Sequence, residues 1–321
     1  MAPEHAQAPT QPASSPLAAL DWRAQDLWLK AVALLPGLTV EVLAEVDSTN
    51  TALLARARSG DASPCLLVAE HQSAGRGRQG RVWQSAPGAS LTFSLGLPLA
   101  PADWSGLSLA VGLALAEALD PANDRSAPRL GLKWPNDLLL IDAAGQRKTA
   151  GILVETVALP GAASACPGNP RFAVIGVGLN ILPRDTPDPA GPPLSTGYAC
   201  LSELDPAIDA PSALARVAPA LLRAVLDFAR SGFAPLQARY AARDVLAGRS
   251  VSTVSTGLAS QTSDAATGVA TGVADGVDER GVLWLRVGAQ RLPVASGEVS
   301  VRAAASGQSA PAPSADSVPA A

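Results

Sequence analysis

Histidine, lysine and cysteine are scarce in this 321-residue chain, and each scarcity removes a class of chemistry. The two histidines are His5 and His71, which leaves little room for histidine-based catalysis, and no Cys/His cluster suggests a metal site. Three cysteines, Cys65, Cys166 and Cys200, are an odd number in dissimilar settings. They argue against a disulfide framework and for a reducing cytoplasm. The longest apolar run, residues 107–116, is too short to span a bilayer. Residues 1–16 have neither the basic start nor the apolar centre of a signal peptide. Charged residues are only 16% of the chain and the net charge is -4, so the basic footprint of a general nucleic-acid binder is missing. Among 24 lysines and arginines, only Lys30, Lys133 and Lys148 are lysines. A lysine kept inside a motif here points to a need for a compact ammonium group rather than for charge alone.

What is present is apolar. Hydrophobic residues make up 48%, enough for a substantial core in one large domain or two. The chain is organised by composition around residues 70–83, EHQSAGRGRQGRVW, where Gly75, Gly77 and Gly80 alternate with Arg76, Arg78 and Arg81. Glycines let backbone N–H groups approach a ligand, and arginines supply forked donors that fit phosphate or carboxylate. Between two strands, such a loop reads as a clamp for a small anion or, more plainly, as a solvated basic loop. Gly75-x-Gly77-x-x-Gly80 also matches the dinucleotide spacing, but Pro87, Gly88 and a β-like run follow where that fingerprint needs a helix. The P-loop pattern fails too, because Arg81 and Val82 stand where Lys-Ser/Thr is required.

Periodicity predicts a helix over 21–35, a strand over 40–46, and a helix carrying Leu53, Leu54 and Ala57 that closes at Gly60. Ser48, Thr49 or Asn50 is by position the N-cap of that helix, and the same hydroxyls and amide can serve a ligand. A strand over 91–97 and a buried helix over 105–119 follow. Residues 130–141 read as two strands broken by Pro135, presenting Lys133, Asn136 and Asp137 from the break. Those polar groups either face a cavity or make an ordinary turn. A hairpin around Gly145 leads to a strand over 152–157, with Lys148 at its mouth as a site residue or a solubilising edge lysine. A strand over 172–177 ends in Gly176-Val177-Gly178-Leu179-Asn180, whose paired glycines predict a backbone that something approaches closely. Residues 182–199 read as a Pro/Gly-rich surface loop. Residues 211–230 form a helix that Pro219 should bend or start late, with Gly232 as its stop and a short helix at 235–240. From residue 245 short strands (250–254, 268–273, 282–287, 290–293) predict a small β-barrel, in which 252–267 lengthens a hairpin loop.

Five segments together resemble biotin protein ligases, enzymes that activate biotin with ATP and attach it to carboxylase subunits. They are Asp47-Ser48-Thr49-Asn50, the Gly75–Arg81 loop, Lys133-Trp134-Pro135-Asn136-Asp137, Lys148-Thr149-Ala150-Gly151-Ile152-Leu153-Val154-Glu155 and Gly176-Val177-Gly178-Leu179-Asn180, in the family's order. The resemblance spans residues 21–302. It implies an α+β fold with a mixed, mostly antiparallel sheet and packed helices, like class II aminoacyl-tRNA synthetases, plus a small C-terminal SH3-like β-barrel. The corresponding division is a disordered segment 1–20, a catalytic domain 21–242, a barrel 243–303 and a disordered tail 304–321.

The same resemblance implies residue roles. Ser48, Thr49, Asn50, Gln72, Gly75, Arg76, Gly77, Arg78, Trp83, Lys148 and Gly151 would serve biotin. Arg78, Arg81, Lys133, Asn136 and Asn180 would serve ATP, with Asn136 and Asn180 near adenine. Lys148, Arg78 and Asp137 would be catalytic, and Asp137 is the candidate for Mg²⁺. The implied acceptor is the biotin carboxyl carrier subunit of a biotin-dependent carboxylase, with no membrane or nucleic acid involved, and homodimers are common among family members. The residues ahead of the first helix are too few for the helix-turn-helix of repressor members. A lipoate ligase of the same fold is the alternative, although Ser48, Thr49 and Gln72 suit a ureido ring better than an apolar tunnel would.

Overall fold

The computed structural model describes residues 20–121, 127–159, 170–184, 197–255, 269–294 and 299–303. Seven strands, β1 (Thr39–Val46), β2 (Cys65–Gln72), β3 (Ser90–Leu99), β4 (Leu130–Lys133), β5 (Asp137–Asp142), β6 (Gly145–Ala158) and β7 (Arg171–Asn180), form one sheet in the order β1-β2-β3-β7-β6-β5-β4. The pair β1–β2 is parallel because α2 (Thr49–Arg58) crosses between them, and every other pair is antiparallel. The sheet is mixed and mostly antiparallel, as expected.

Period-two alternation sends successive residues to opposite faces. Leu66, Val68, Ala173, Ile175 and Val177 belong to the main core with α1 (Ala24–Val32), α3 (Leu107–Leu119) and α4 (Ala210–Ser231). Cys65, Leu67, Phe172 and Val174 pack with Leu53, Leu54 and Ala57 of α2 on the other face. Helix α3 is apolar almost all round and buries nine of its thirteen residues, which suits a helix inside the main core.

The register then builds a platform on the α2 face. Lys133 pairs with Asp137, Asp137 with Gly151, Gly151 with Gly178 and Gly178 with Thr92, so one row crosses five strands. The next row runs Leu153, Gly176, Ser94, Leu67. Directly paired residues share a face. The glycines in these rows leave a depression where side chains would otherwise stand. Lys148 reaches this face through a one-residue register shift: Leu138 pairs with Ala150 but Leu139 with Lys148, leaving Thr149 unpaired. Without the extra residue, Lys148 would project to the opposite face.

The second sheet contains β8 (Ser250–Ser255), β9 (Val269–Val277), β10 (Leu283–Val287), β11 (Gln290–Val294) and β12 (Val299–Ala303), antiparallel in the order β11-β10-β9-β8-β12. Its Val251, Ala274, Leu283 and Leu285 join the main core. Buried Arg243 holds the junction. It donates to Asp120 Oδ2 (3.3 Å), Leu130 O (2.9 Å) and Asp120 O (2.6 Å), while its carbonyl accepts from Leu132 N (2.7 Å).

Several expectations need correction. Pro219 lies inside an uninterrupted α4, so it marks no later start. Asp209 and Ser212 cap the helix reciprocally, and the start needs no help from Pro219. The first helix is shorter than 21–35, and the short helix is a 3-10 turn (Ala234–Leu236) followed by α5 (Gln237–Ala241). The strand expected over 250–254 is β8, which runs one residue further and takes up the start of the 252–267 segment. The rest of that insert, most of the 182–199 loop and both termini lie outside the described residues. Among the described residues no helix is long and apolar enough to cross a membrane.

Candidate active site

The Gly/Arg loop is a tight hairpin between β2 and β3. Trp83 N donates to Gly75 O (2.8 Å), Gly77 N to Arg81 O (2.7 Å), and Arg76 pairs with Val82. Glycine is needed at 75 because a Cβ would stand 2.2 Å from Trp83 O. At the tip, Gln79 (φ 56) and Gly80 (φ 72) are left-handed, a conformation that glycine adopts without cost. The loop therefore arches over the glycine-lined depression, and together they form a cleft. Its lining includes Ser48, Thr49, Asn50, Gln72, Arg76, Gly77, Arg78, Arg81, Trp83, Lys133, Asn136, Asp137, Lys148 and Gly151.

One end of the cleft is a buried polar chain. Ser48 caps α2, its Oγ accepting from Thr51 N (3.4 Å). Thr49 N donates to Gln72 Oε1 (2.8 Å), and its Oγ1, with a single proton to give, lies 3.1 Å from the same oxygen and 2.6 Å from Ser94 Oγ. Ser94 Oγ donates to Asn50 Oδ1 (2.6 Å), and Asn50 Nδ2 donates to Leu153 O (3.3 Å) and Glu155 Oε2 (3.0 Å). Ser48 is thus the N-cap of α2, and Ser48, Thr49 and Asn50 all line the cleft.

The other end is cationic. Arg78 Nη1 donates to Asn136 Oδ1 (3.1 Å), and Asn136 Nδ2 to Ile152 O (3.1 Å). Burial pulls the Arg78 pKa below its ordinary value, with the Asp137 charge opposing. Lys148 Nζ lies 2.7 Å from Asp137 Oδ1, both side chains mostly buried. Lys133 is buried beside them at 8% exposure. Trp83 stands between the two ends. Its indole lies against Gly178, where a Cβ would come within 2.2 Å, and against Gly151. Lys148 Nζ is 5.7 Å from the ring centroid, within cation–π range.

Two expected site residues do not line the cleft. Gly75 forms the base of the hairpin. Asn180 is buried behind Lys148, its Nδ2 donating to Lys148 O (3.2 Å) and Ala199 O (3.0 Å). The close approach predicted for the paired glycines is made by the chain itself: Trp83 meets Gly178, and Asn50 Oδ1 would be 2.1 Å from a Cβ at Gly176. Ser94 and Glu155 carry parts of the polar network to which no role had been given. Their signal was a polar residue set in a short apolar run, Ser94 between Phe93 and Leu95 and Glu155 after Ile152, Leu153 and Val154.

A cleft with a neutral hydrogen-bonding end and a cationic end suits two substrates, one polar and one polyanionic. The model of the biotin/lipoate A/B protein ligase family matches residues 42–179. The biotin–[acetyl-CoA-carboxylase] ligase of Mycobacterium tuberculosis is 36% identical over 267 residues, 81% of this chain and 88% of that protein. The chain belongs to the biotin protein ligase family. It is a ligase. The bifunctional ligase/repressor BirA of Escherichia coli is also 36% identical, over 84% of this chain and 76% of its own length. Among solved structures, a biotin protein ligase from Aquifex aeolicus in complex with biotin and ATP aligns with a TM-score of 0.63 at 25% identity, covering 83% of this chain and 99% of that one. The family assignment accounts for the mixed sheet, and the small antiparallel sheet agrees with the expected SH3-like unit.

Proposed function

We propose that the cleft joins biotin to ATP as biotinyl-5'-AMP and then passes the biotinyl group to a lysine of a biotin carboxyl carrier domain. One observation carries this assignment. Cations from two separate elements, Arg78 of the loop and Lys148 of β6, converge on the adjacent residues Asn136 and Asp137. Such a convergence suits a reaction in which two anions must meet.

Biotin's ureido ring would sit among Ser48, Thr49, Asn50 and Gln72, with Trp83 against it and Gly151 beneath. The ATP phosphates would take Arg78, Arg81 and Lys133, with Asn136 beside the nucleotide. A carboxylate oxygen of biotin attacks the α-phosphorus, the bond to the pyrophosphate oxygen breaks, and pyrophosphate leaves. Lys148 and Arg78 neutralise the charge that develops there, as preorganised donors do in a water-poor site. The ion pair with Asp137 keeps Lys148 aimed into the cleft until substrate oxygens arrive. The Gly/Arg loop then shields the mixed anhydride from water. The carrier lysine attacks the acyl carbon, the C–O bond to AMP breaks, and the amine's proton passes to solvent.

Among the described residues Asp137 is the only carboxylate in the cleft lining, and no group of three or more His, Cys, Asp or Glu side chains could hold a metal. A single carboxylate fits Mg²⁺ that is held mainly by phosphates and water. When bound, Mg²⁺ would neutralise charge on the phosphates.

Lipoate is disfavoured as a substrate, because its apolar dithiolane offers the polar groups of Ser48, Thr49 and Gln72 nothing to hydrogen-bond. Pyrophosphate–ATP exchange tests the assignment. Exchange should depend on biotin, and biotin should raise the melting temperature more than lipoate does. Exchange driven by lipoate and not by biotin would reverse it.

A further inference from the structure

We propose that Glu155 is a positioning residue that anchors the Gly/Arg loop over the cleft and ties it to the polar pocket. This rests on reading the cleft as the adenylating site. Arg76 donates to Glu155 from Nη2 (2.9 Å to Oε1) and Nη1 (3.3 Å to Oε2), a two-pronged contact. The same Oε2 accepts from Asn50 Nδ2. Glu155 thus receives three N–H bonds, two from the loop and one from the pocket. Forked guanidinium–carboxylate contacts of this kind are directional and stronger than single ones.

Main-chain hydrogen bonds close the hairpin on itself, such as Gly77 N to Arg81 O. Between residues 76–82 and the sheet, two side-chain tethers stand out, Arg76–Glu155 and Arg78–Asn136. The second lies inside the cleft, on groups that a nucleotide would engage. Arg76 lines the cleft but Glu155 does not, so the carboxylate that anchors the first tether lies clear of bound substrates. It holds the loop through the life of the intermediate, when Arg78 is needed elsewhere. Gly176 makes the connection feasible, because a side chain there would strike the Asn50 amide that reaches Glu155.

The test is backbone amide exchange of residues 76–83 in the ligand-free protein, compared among wild type, Glu155→Gln, Arg76→Met and the double variant. Each single variant should exchange about three- to tenfold faster in the loop. The double variant should be no faster than either single one, and strand β7 should be unchanged. In the presence of biotin and ATP, both single variants should release more free biotinyl-5'-AMP per acceptor labelled. Arg76 is half-exposed, so its variant folds even if Glu155→Gln does not, and it then carries the comparison alone. Unchanged loop exchange in Arg76→Met or in a folded Glu155→Gln variant, or additive effects in the double variant, would overturn the anchor. If wild type makes no adenylate, the function assigned to the cleft fails, while the exchange data still decide the role of Glu155.

Discussion

Lys148 Nζ lies 2.7 Å from Asp137 Oδ1, and the residue before Asp137 accepts a hydrogen bond from Arg78. Two cations of different origin are thereby fixed side by side before any substrate enters. Replacing Lys148 by Met should slow adenylate formation by ~10²-fold or more, the size of effect seen when a preorganised donor is lost. Single-turnover pyrophosphate release measures this step. An unchanged rate would remove Lys148 from the chemistry.

Arg78 should matter most after the intermediate has formed. In Arg78→Gly the loop loses its tether to Asn136 and its charge over the adenylate, so the intermediate should escape and label unrelated proteins. Mixing the variant with biotin, ATP and a non-acceptor protein reads this directly. If the bystander stays unlabelled while the normal acceptor is still modified, the shielding role is wrong.

Gly178→Ala tests the position of Trp83. A Cβ there would lie 2.2–2.5 Å from three indole atoms, so the ring must leave the cleft. Overpacking of this kind costs about 1–3 kcal/mol. Biotin affinity should fall roughly tenfold or more, since each tenfold corresponds to about 1.4 kcal/mol. Calorimetric titration showing wild-type affinity would mean that Trp83 makes no useful contact with biotin.

Stability in acid should depend partly on Glu41. The two-pronged hydrogen bond from Arg56 (2.7 and 2.7 Å) holds the Glu41 carboxyl below its ordinary value of 4.5. Because the folded pKa is depressed, the stabilisation is present above pH 4.5 and is lost as pH falls through the lowered value. The urea midpoint should therefore drop less steeply below pH 4.5 in Glu41→Gln than in wild type. Parallel curves would show that the pair adds nothing, as is the case for many half-exposed ion pairs.

Much of the fold was legible because its signals are local. The apolar runs of β2, β3 and β7, the Ser48 cap and the turn at Gly145 each follow from a few neighbouring residues. The cleft residues were legible mainly as motifs. What composition could not supply was register. The row from Lys133 to Thr92 depends on five strands pairing in order, and the face chosen by Lys148 depends on one unpaired residue, Thr149. Asn180 shows the same limit. Its motif pointed to the site, but the side chain is engaged by two carbonyls behind it. Glu155 stood in a recognised motif without a role, because its partners Arg76 and Asn50 come from segments far away in sequence.

The most direct test is to incubate the purified protein with biotin, ATP, Mg²⁺ and a carboxylase biotin carrier domain, then weigh the carrier. A cleft that brings a carboxylate and a nucleotide together predicts a gain of one biotinyl group, absent without ATP and lost in Lys148→Met. A carrier of unchanged mass, with the protein folded and both substrates present, would contradict the account.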